Sequence, residues 1–173
     1  CAPRALAQEW DDAISRGWLL LEDLHDHEGG DGVAGATDTQ ALSTVTALAE
    51  WHAAFWNDPR LAELPWLPDS TDPVVAGYGR IFDLTWDTCM ARLDGVPDHI
   101  AAAAHEGRAW FDQAIREFAD GDRTLVHGDA RLDNVRFENV RFENVRAGRA
   151  GAVLLDFQLA AHGRGMYDVA FFC

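Results

Sequence analysis

Three features of the 173-residue sequence predict an α+β fold. Three successive segments between residues 38 and 120 carry apolar residues at helical spacing. From residue 124 the period shortens to β-type runs of three or four residues, and polar loops stand at the ends of those runs. A hydrophobic content of 48%, with seven tryptophans, is enough for one packed domain with a real core.

The elements follow in order. GWLLLEDL (17–24) is a short apolar run ending in acids, expected as a buried strand leaving the core. HDHEGGDGVAGAT (25–37) is a polar, glycine-rich loop. Thr37 or Asp38 then caps a helix whose Ala41, Val45, Leu48, His52 and Phe55 fall on one face. The next stretch, 57–73, is punctuated by four prolines and reads as a connection with at most a helical turn. A second helix follows Asp72-Pro73, with Val74, Tyr78, Ile81, Thr85, Trp86, Cys89 and Leu93 as its stripe. Pro97 opens a third, where Ile100, Ala104, Phe111, Ile115 and Phe118 repeat the pattern until Gly121 stops it. TLV (124–126), VRF (135–137) and AVLL (152–155) read as strands, and GMYDVAFF begins another helix.

One repeat is present: VRFEN (135–139) recurs at once as VRFEN (140–144). Side chains alternate faces along a strand, so an odd period cannot keep Val and Phe on the same face through both copies. The first copy, tethered to the polar loop before it, is expected to hold the strand position, and the second to bulge or loop out.

Charge and cysteine usage narrow the function. A net charge of −15 argues against a nucleic-acid partner, because neutralising phosphates requires clustered cations. All 14 basic residues are arginine. Three widely spaced cysteines suit a reducing compartment better than a disulfide framework. No apolar run approaches the ~20 residues that span a bilayer. The expectation is therefore a cytoplasmic protein with no membrane partner. The chain starts at Cys1 and ends inside the apolar run DVAFFC, which suggests a piece of a longer protein.

The chemistry concentrates in TLVHGDARLDNVRF (124–137) and LLDFQ (154–158). If two strands of one hairpin present their loop ends at the same edge, Asp129, Asn134 and Asp156 converge. Carboxylate and amide oxygens suit a hard cation such as Mg²⁺, which keeps room for phosphates and water. Phosphoryl transfer needs metal on the phosphates and a carboxylate that orients and deprotonates the attacking hydroxyl. The five-residue interval from Asp129 to Asn134, followed later by Asp156-Phe157-Gln158, matches the base-to-metal-ligand interval and metal loop of protein kinases.

HGDARLDN, with LLDFQ and then GMYDVA, resembles the aminoglycoside phosphotransferase-like and ecdysteroid-kinase-like small-molecule kinases. LLLEDL and LAEWHAAFW look like that family's hinge strand and first C-lobe helix. The resemblance implies a protein-kinase-like fold, with residues 1–24 as the end of the N-lobe and the hinge strand. Residues 25–173 would be a partial, mostly helical C-lobe with a small β-hairpin active-site region, the N-lobe being largely absent. It implies an ATP-dependent phosphotransferase acting on a hydroxyl of a small molecule. Asp129 would be the catalytic base, and Asn134 and Asp156 would hold Mg²⁺ against the ATP phosphates. Arg131 would neutralise developing charge or face outward. His127 and Asp133 would brace the loop, Asp168 would be structural, and the backbone of Glu22, Asp23 and Leu24 would meet the adenine edge.

The family's glycine-rich loop and ATP-anchoring lysine belong before LLLEDL, where some sixteen residues stand and no lysine occurs. The chain alone is therefore expected to bind Mg-ATP poorly and to turn over little. GDGVAG (30–35) satisfies a dinucleotide-type glycine spacing, yet HDHE separates it from the strand and Asp26, Glu28 and Asp31 would repel phosphate; it reads as a flexible loop. His25 and His27 read as solvated, His52 as a hydrogen-bonded core histidine, and the helical Trp and Phe positions as core. Two further readings remain: a degenerate kinase-like binding or scaffold domain, and a metal-dependent phosphoesterase built on His127, Asp129 and Asp156. The acceptor and the oligomeric state are not legible.

Overall fold

Thr37 starts the central helix. In a computed structural model, which describes residues 1–69, 72, 77–93, 95–138 and 151–173, its hydroxyl accepts the Gln40 amide while the Gln40 side chain accepts the Thr37 amide. This reciprocal cap satisfies two amides that the first turn leaves unpaired. The helix, α1, runs Asp38–Ala54. Its buried face is Ser43, Thr44, Ala47, Leu48 and His52, so the expected stripe is rotated: Leu48 and His52 are buried, while Ala41, Val45 and Phe55 are half-buried.

Before α1 come three strands, β1 (Ala5–Asp11), β2 (Arg16–Leu21) and β3 (Glu28–Gly29). β1 and β2 form an antiparallel hairpin of their own. Residues 17–21 are extended as the sequence suggests, but the strand is not buried: Trp18, Leu19 and Leu20 are each more than half exposed. A two-stranded ribbon has two faces and both are largely exposed here, so apolar composition alone misled the burial expectation.

After α1 a 3-10 turn over Pro59–Glu63 fits the proline-rich connection. α2 spans Tyr78–Met90 and α3 spans Asp98–Ala119. They pack through Phe82, stacked on Trp86 with centroids 4.8 Å apart, and His105, edge-on to Trp86 at 4.8 Å. Arg108 crosses between them, reaching Asp83 with two bonds of 2.7 and 2.8 Å. The expected α2 stripe holds only in part: Trp86 carries the contact as expected, joined by Phe82, whereas Ile81, Thr85, Cys89 and Leu93 are exposed. Ile100 and Trp110 on α3 are also exposed, against the expectation of core. Val74 and the side chains of Tyr78, Ile115 and Phe118 lie outside the described residues. Gly121, with φ +92, follows the end of α3 as expected.

The remaining strands are β4 (Thr124–Val126), β5 (Val135–Phe137), β6 (Ala152–Leu154) and β7 (Ala161–Gly163), and α4 (Met166–Phe172) closes the described chain. β5 and β6 pair antiparallel, with β3 on the other edge of β5, and β4 pairs with β7. The first VRFEN copy does hold β5; the second lies outside the described residues. Ala47 and Leu48 of α1 pack onto Val135, Phe137, Ala152 and Leu154, with Ala130 beside them. Burying each of the larger of these side chains contributes about 1.5–3 kcal/mol. The core therefore lies directly under the loop that follows β4. Cys1, Cys89 and Cys173 are exposed and unbridged, and among the described residues no helix is long and apolar enough to cross a membrane.

Candidate active site

The loop between β4 and β5 is held open by buried polar contacts. Gly128 has φ +84, and a Cβ there would lie 2.0 Å from the Leu159 carbonyl oxygen, so only glycine fits. Fully buried Asp168, from α4, accepts the amides of His127 (2.8 Å) and Gly128 (2.9 Å). The same carboxylate pairs with His52 Nε2 at 2.8 Å. His52 is thus a bonded core histidine, as its place on the helix face suggested, and its backbone carbonyl accepts the Thr124 hydroxyl at 2.8 Å. Three elements, α1, the β4 end and α4, meet on one carboxylate.

His127 is also fully buried. Its Nδ1 accepts the Asp129 amide at 3.2 Å, which leaves the ring proton on Nε2 to donate to the Leu155 carbonyl at 2.7 Å. The ring therefore ties the loop after β4 to the loop after β6. Leu155 in turn donates its amide to the Asn134 carbonyl at 2.8 Å, one residue beyond the β5–β6 ladder.

Asp129 and Asn134 are both nearly buried, at 7% and 8% exposure. A 3-10 turn over Leu132–Asn134 brings them together, and Asn134 Nδ2 donates to both the Asp129 carbonyl and Asp129 Oδ2 at 3.0 Å. Those bonds fix the amide orientation and turn Asn134 Oδ1 away from Asp129. Arg131 is more than half exposed, and its Nε lies 3.5 Å from Asp129 Oδ2. Asp156 follows Leu155 directly. It is exposed, holds the left-handed conformation (φ 63, ψ 69), and its carboxylate accepts only the Gln158 amide at 3.3 Å among the hydrogen bonds of the described residues. Phe157 wedges behind it, 4.6 Å from the His127 ring and 4.9 Å from Trp51. The structure thus joins Asp129 to Asn134 directly and brings the Asp156 loop to them through Leu155.

The donor set fits a hard cation in part. Among the described residues Asn134 Oδ1 and the Asp156 carboxylate are oxygens without strong internal partners, in line with a Mg²⁺ that completes its shell with water and phosphate. Among the described residues no three His, Cys, Asp or Glu side chains form a metal-binding group.

Glu22, Asp23 and Leu24 lie past the end of β2. The Glu22 amide donates to the Arg4 carbonyl (3.0 Å), its carboxylate accepts the Arg4 amide (2.7 Å), and the Leu24 carbonyl accepts the His27 amide (2.9 Å). Asp23 accepts the His25 amide at 3.0 Å. His25 is exposed, as expected, but His27 is not solvated: its side chain is 17% exposed beside Glu138 and its Nδ1 is buried, without a partner among the described residues. The loop after it departs further from expectation. GDGVAG does not stand free: β3 pairs with β5, Gly30 donates to the Val135 carbonyl at 3.0 Å, and Gly32 faces Asp133 Oδ1 at 3.5 Å. Sequence reasoning missed this contact, and two glycines that close upon the β4–β5 loop were its only signal.

A family model described as the phosphotransferase enzyme family matches residues 2–173. The chain belongs to that family. That membership agrees with the phosphoryl-transfer chemistry expected of the HGDARLDN and LLDFQ loops. No curated protein matches the chain. Among solved structures it is similar to an aminoglycoside-3'-phosphotransferase of type VIII, at 21% identity and a TM-score of 0.45, over 99% of this chain and 56% of that one. The chain thus spans little more than half of that structure's length.

Proposed function

We propose that this phosphotransferase uses ATP and Mg²⁺ to phosphorylate a hydroxyl group of a small molecule, with Asp129 as the base. The observation that carries the reading is the joining of Asp129 to Asn134 across five residues, with Leu155 bonded to both ends of the loop. Buried Asp129 orients the acceptor hydroxyl and takes its proton at a carboxylate oxygen. Asn134 Oδ1 and Asp156 would hold the metal, which supplies positive charge against the phosphates. Arg131, exposed beside Asp129, adds charge at the transferred group. The Glu22 carbonyl and Leu24 amide would meet the adenine edge, since the Glu22 amide and Leu24 carbonyl are already engaged.

The test is transfer from ATP to a panel of hydroxyl compounds, amine-bearing alcohols among them, by the full-length protein. Asp129→Asn should lower transfer by about two to four orders of magnitude with nucleotide affinity nearly unchanged. Asp156→Ala should instead weaken metal-dependent ATP binding. Near-normal turnover in both variants would remove these roles. Phosphate release that needs neither ATP nor acceptor would favour a phosphoesterase.

A further inference from the structure

We propose that the glycine-rich link between β2 and α1 positions the metal-binding amide, with Gly30 as the positioning residue for Asn134. This rests on the reading of Asn134 as a metal ligand. The link runs along β5 through the pairs Glu28–Phe137 and Gly29–Arg136, and the Gly30 amide extends that pairing to the Val135 carbonyl. A Cβ on Gly30 would stand 2.1 Å from the Leu132 carbonyl oxygen and 2.9 Å from its carbon. Both atoms are backbone of the 3-10 turn that ends at Asn134, so they can yield only if the turn moves.

The other contacts close the same clamp. The Arg136 guanidinium lies 3.4 Å from where a Gly29 Cβ would be, and its Nη1 donates to the Asp133 and Val135 carbonyls at 3.3 and 3.2 Å. At Gly32 a Cβ would meet the Asp133 carboxylate, its nearest atom being Oδ2 at 2.8 Å. That atom is a side-chain terminus and can swing aside. The turn is thus held from one side by the link and from the other by Leu155, whose amide binds the Asn134 carbonyl. The segment that would meet the adenine is continuous with the one that seats the metal ligand, so base and metal are placed by one stretch of backbone.

Gly30→Ala should therefore displace the Asn134 amide while Gly32→Ala leaves it in place. Paramagnetic broadening of the ¹⁵N-labelled chain by Mn²⁺–ATP reads this directly at the Asn134 side-chain amide, and it detects weak binding. The unaltered chain and Gly107→Ala, where an added Cβ meets nothing within 4 Å, should broaden alike. Gly30→Ala should need roughly tenfold more Mn²⁺–ATP for the same broadening, the usual scale for residues that orient a metal ligand. Should Gly30→Ala fail to fold, Asp133→Ala with Arg136→Ala loosens the turn from its other contacts and should show the same direction. No broadening of Asn134 in the unaltered chain overturns the metal-ligand reading and this inference with it. Broadening in the unaltered chain that these folded variants leave unchanged overturns the inference alone.

Discussion

Replacing Asp168 tests whether one buried carboxylate organises the site. In Asp168→Ala three buried donors lose their acceptor: the amides of His127 and Gly128 and the Nε2 side of His52. A buried donor left unsatisfied costs about 1–3 kcal/mol, which gives a span of roughly 3–9 kcal/mol for three. Water entering the vacated volume recovers part of that, and losses above about 5 kcal/mol are exceptional, so about 4 kcal/mol is expected. For a chain of this length that corresponds to a fall in Tm of roughly 8–16 °C. Asp168→Asn keeps the volume and one acceptor oxygen, so His52 and His127 can stay bonded while Gly128 faces an amide; about 2 kcal/mol is expected. Urea unfolding followed by tryptophan fluorescence measures both. If Asp168→Ala lies within about 1 kcal/mol of the unaltered chain, the carboxylate is not the hub. Equal losses in the two variants would mean that charge alone, rather than the count of donors, sets the effect.

Three shorter predictions bear on the scaffold. Burial of His162, aided by the Arg123 charge and opposed by Asp69, holds its imidazole below the ordinary value of 6.5. The unfolded chain then takes up a proton that the folded chain refuses, so stability is complete above about pH 6.5 and falls as pH drops toward the lowered folded value. His162→Gln should flatten that part of the pH–stability curve, and an unchanged slope would assign it elsewhere. Gly128→Ala places a Cβ against the Leu159 carbonyl in a left-handed residue, so it should lose about 2 kcal/mol or more in thermal unfolding. Thr37→Ala removes the reciprocal cap of α1 and should cost about 1 kcal/mol, measured the same way.

What the sequence made legible is what local geometry decides. Thr37 and Gly121 bound helices by the chemistry of their own few neighbours, and Asp129 and Asn134 meet because a single short turn spans them. Long-range pairings are a different matter. His52 and Asp168 lie 116 residues apart, and nothing in either segment announces that their side chains bond, although each could be judged structural alone. β3 and β7 escaped notice for the same reason: two or three residues carry no period, and only a distant partner makes them strands.

Burial failed where exposure depends on a second layer. Trp18, Leu19 and Leu20 have the composition of a core strand, yet whether an apolar run is buried is settled by what packs on both faces of its ribbon. The helices erred by smaller amounts. A stripe read from apolar letters alone placed Ile81 and Leu93 inside with Trp86, whereas packing kept Trp86 and added Phe82, both large enough to reach His105 across the α2–α3 interface. Gly30 unites both lessons. Its missing side chain looked like looseness, but the constraint comes from the Leu132 carbonyl, about a hundred residues further along the chain. A glycine in a polar loop is therefore informative only once the backbone that approaches it is known. Here that backbone belongs to the turn that carries Asn134.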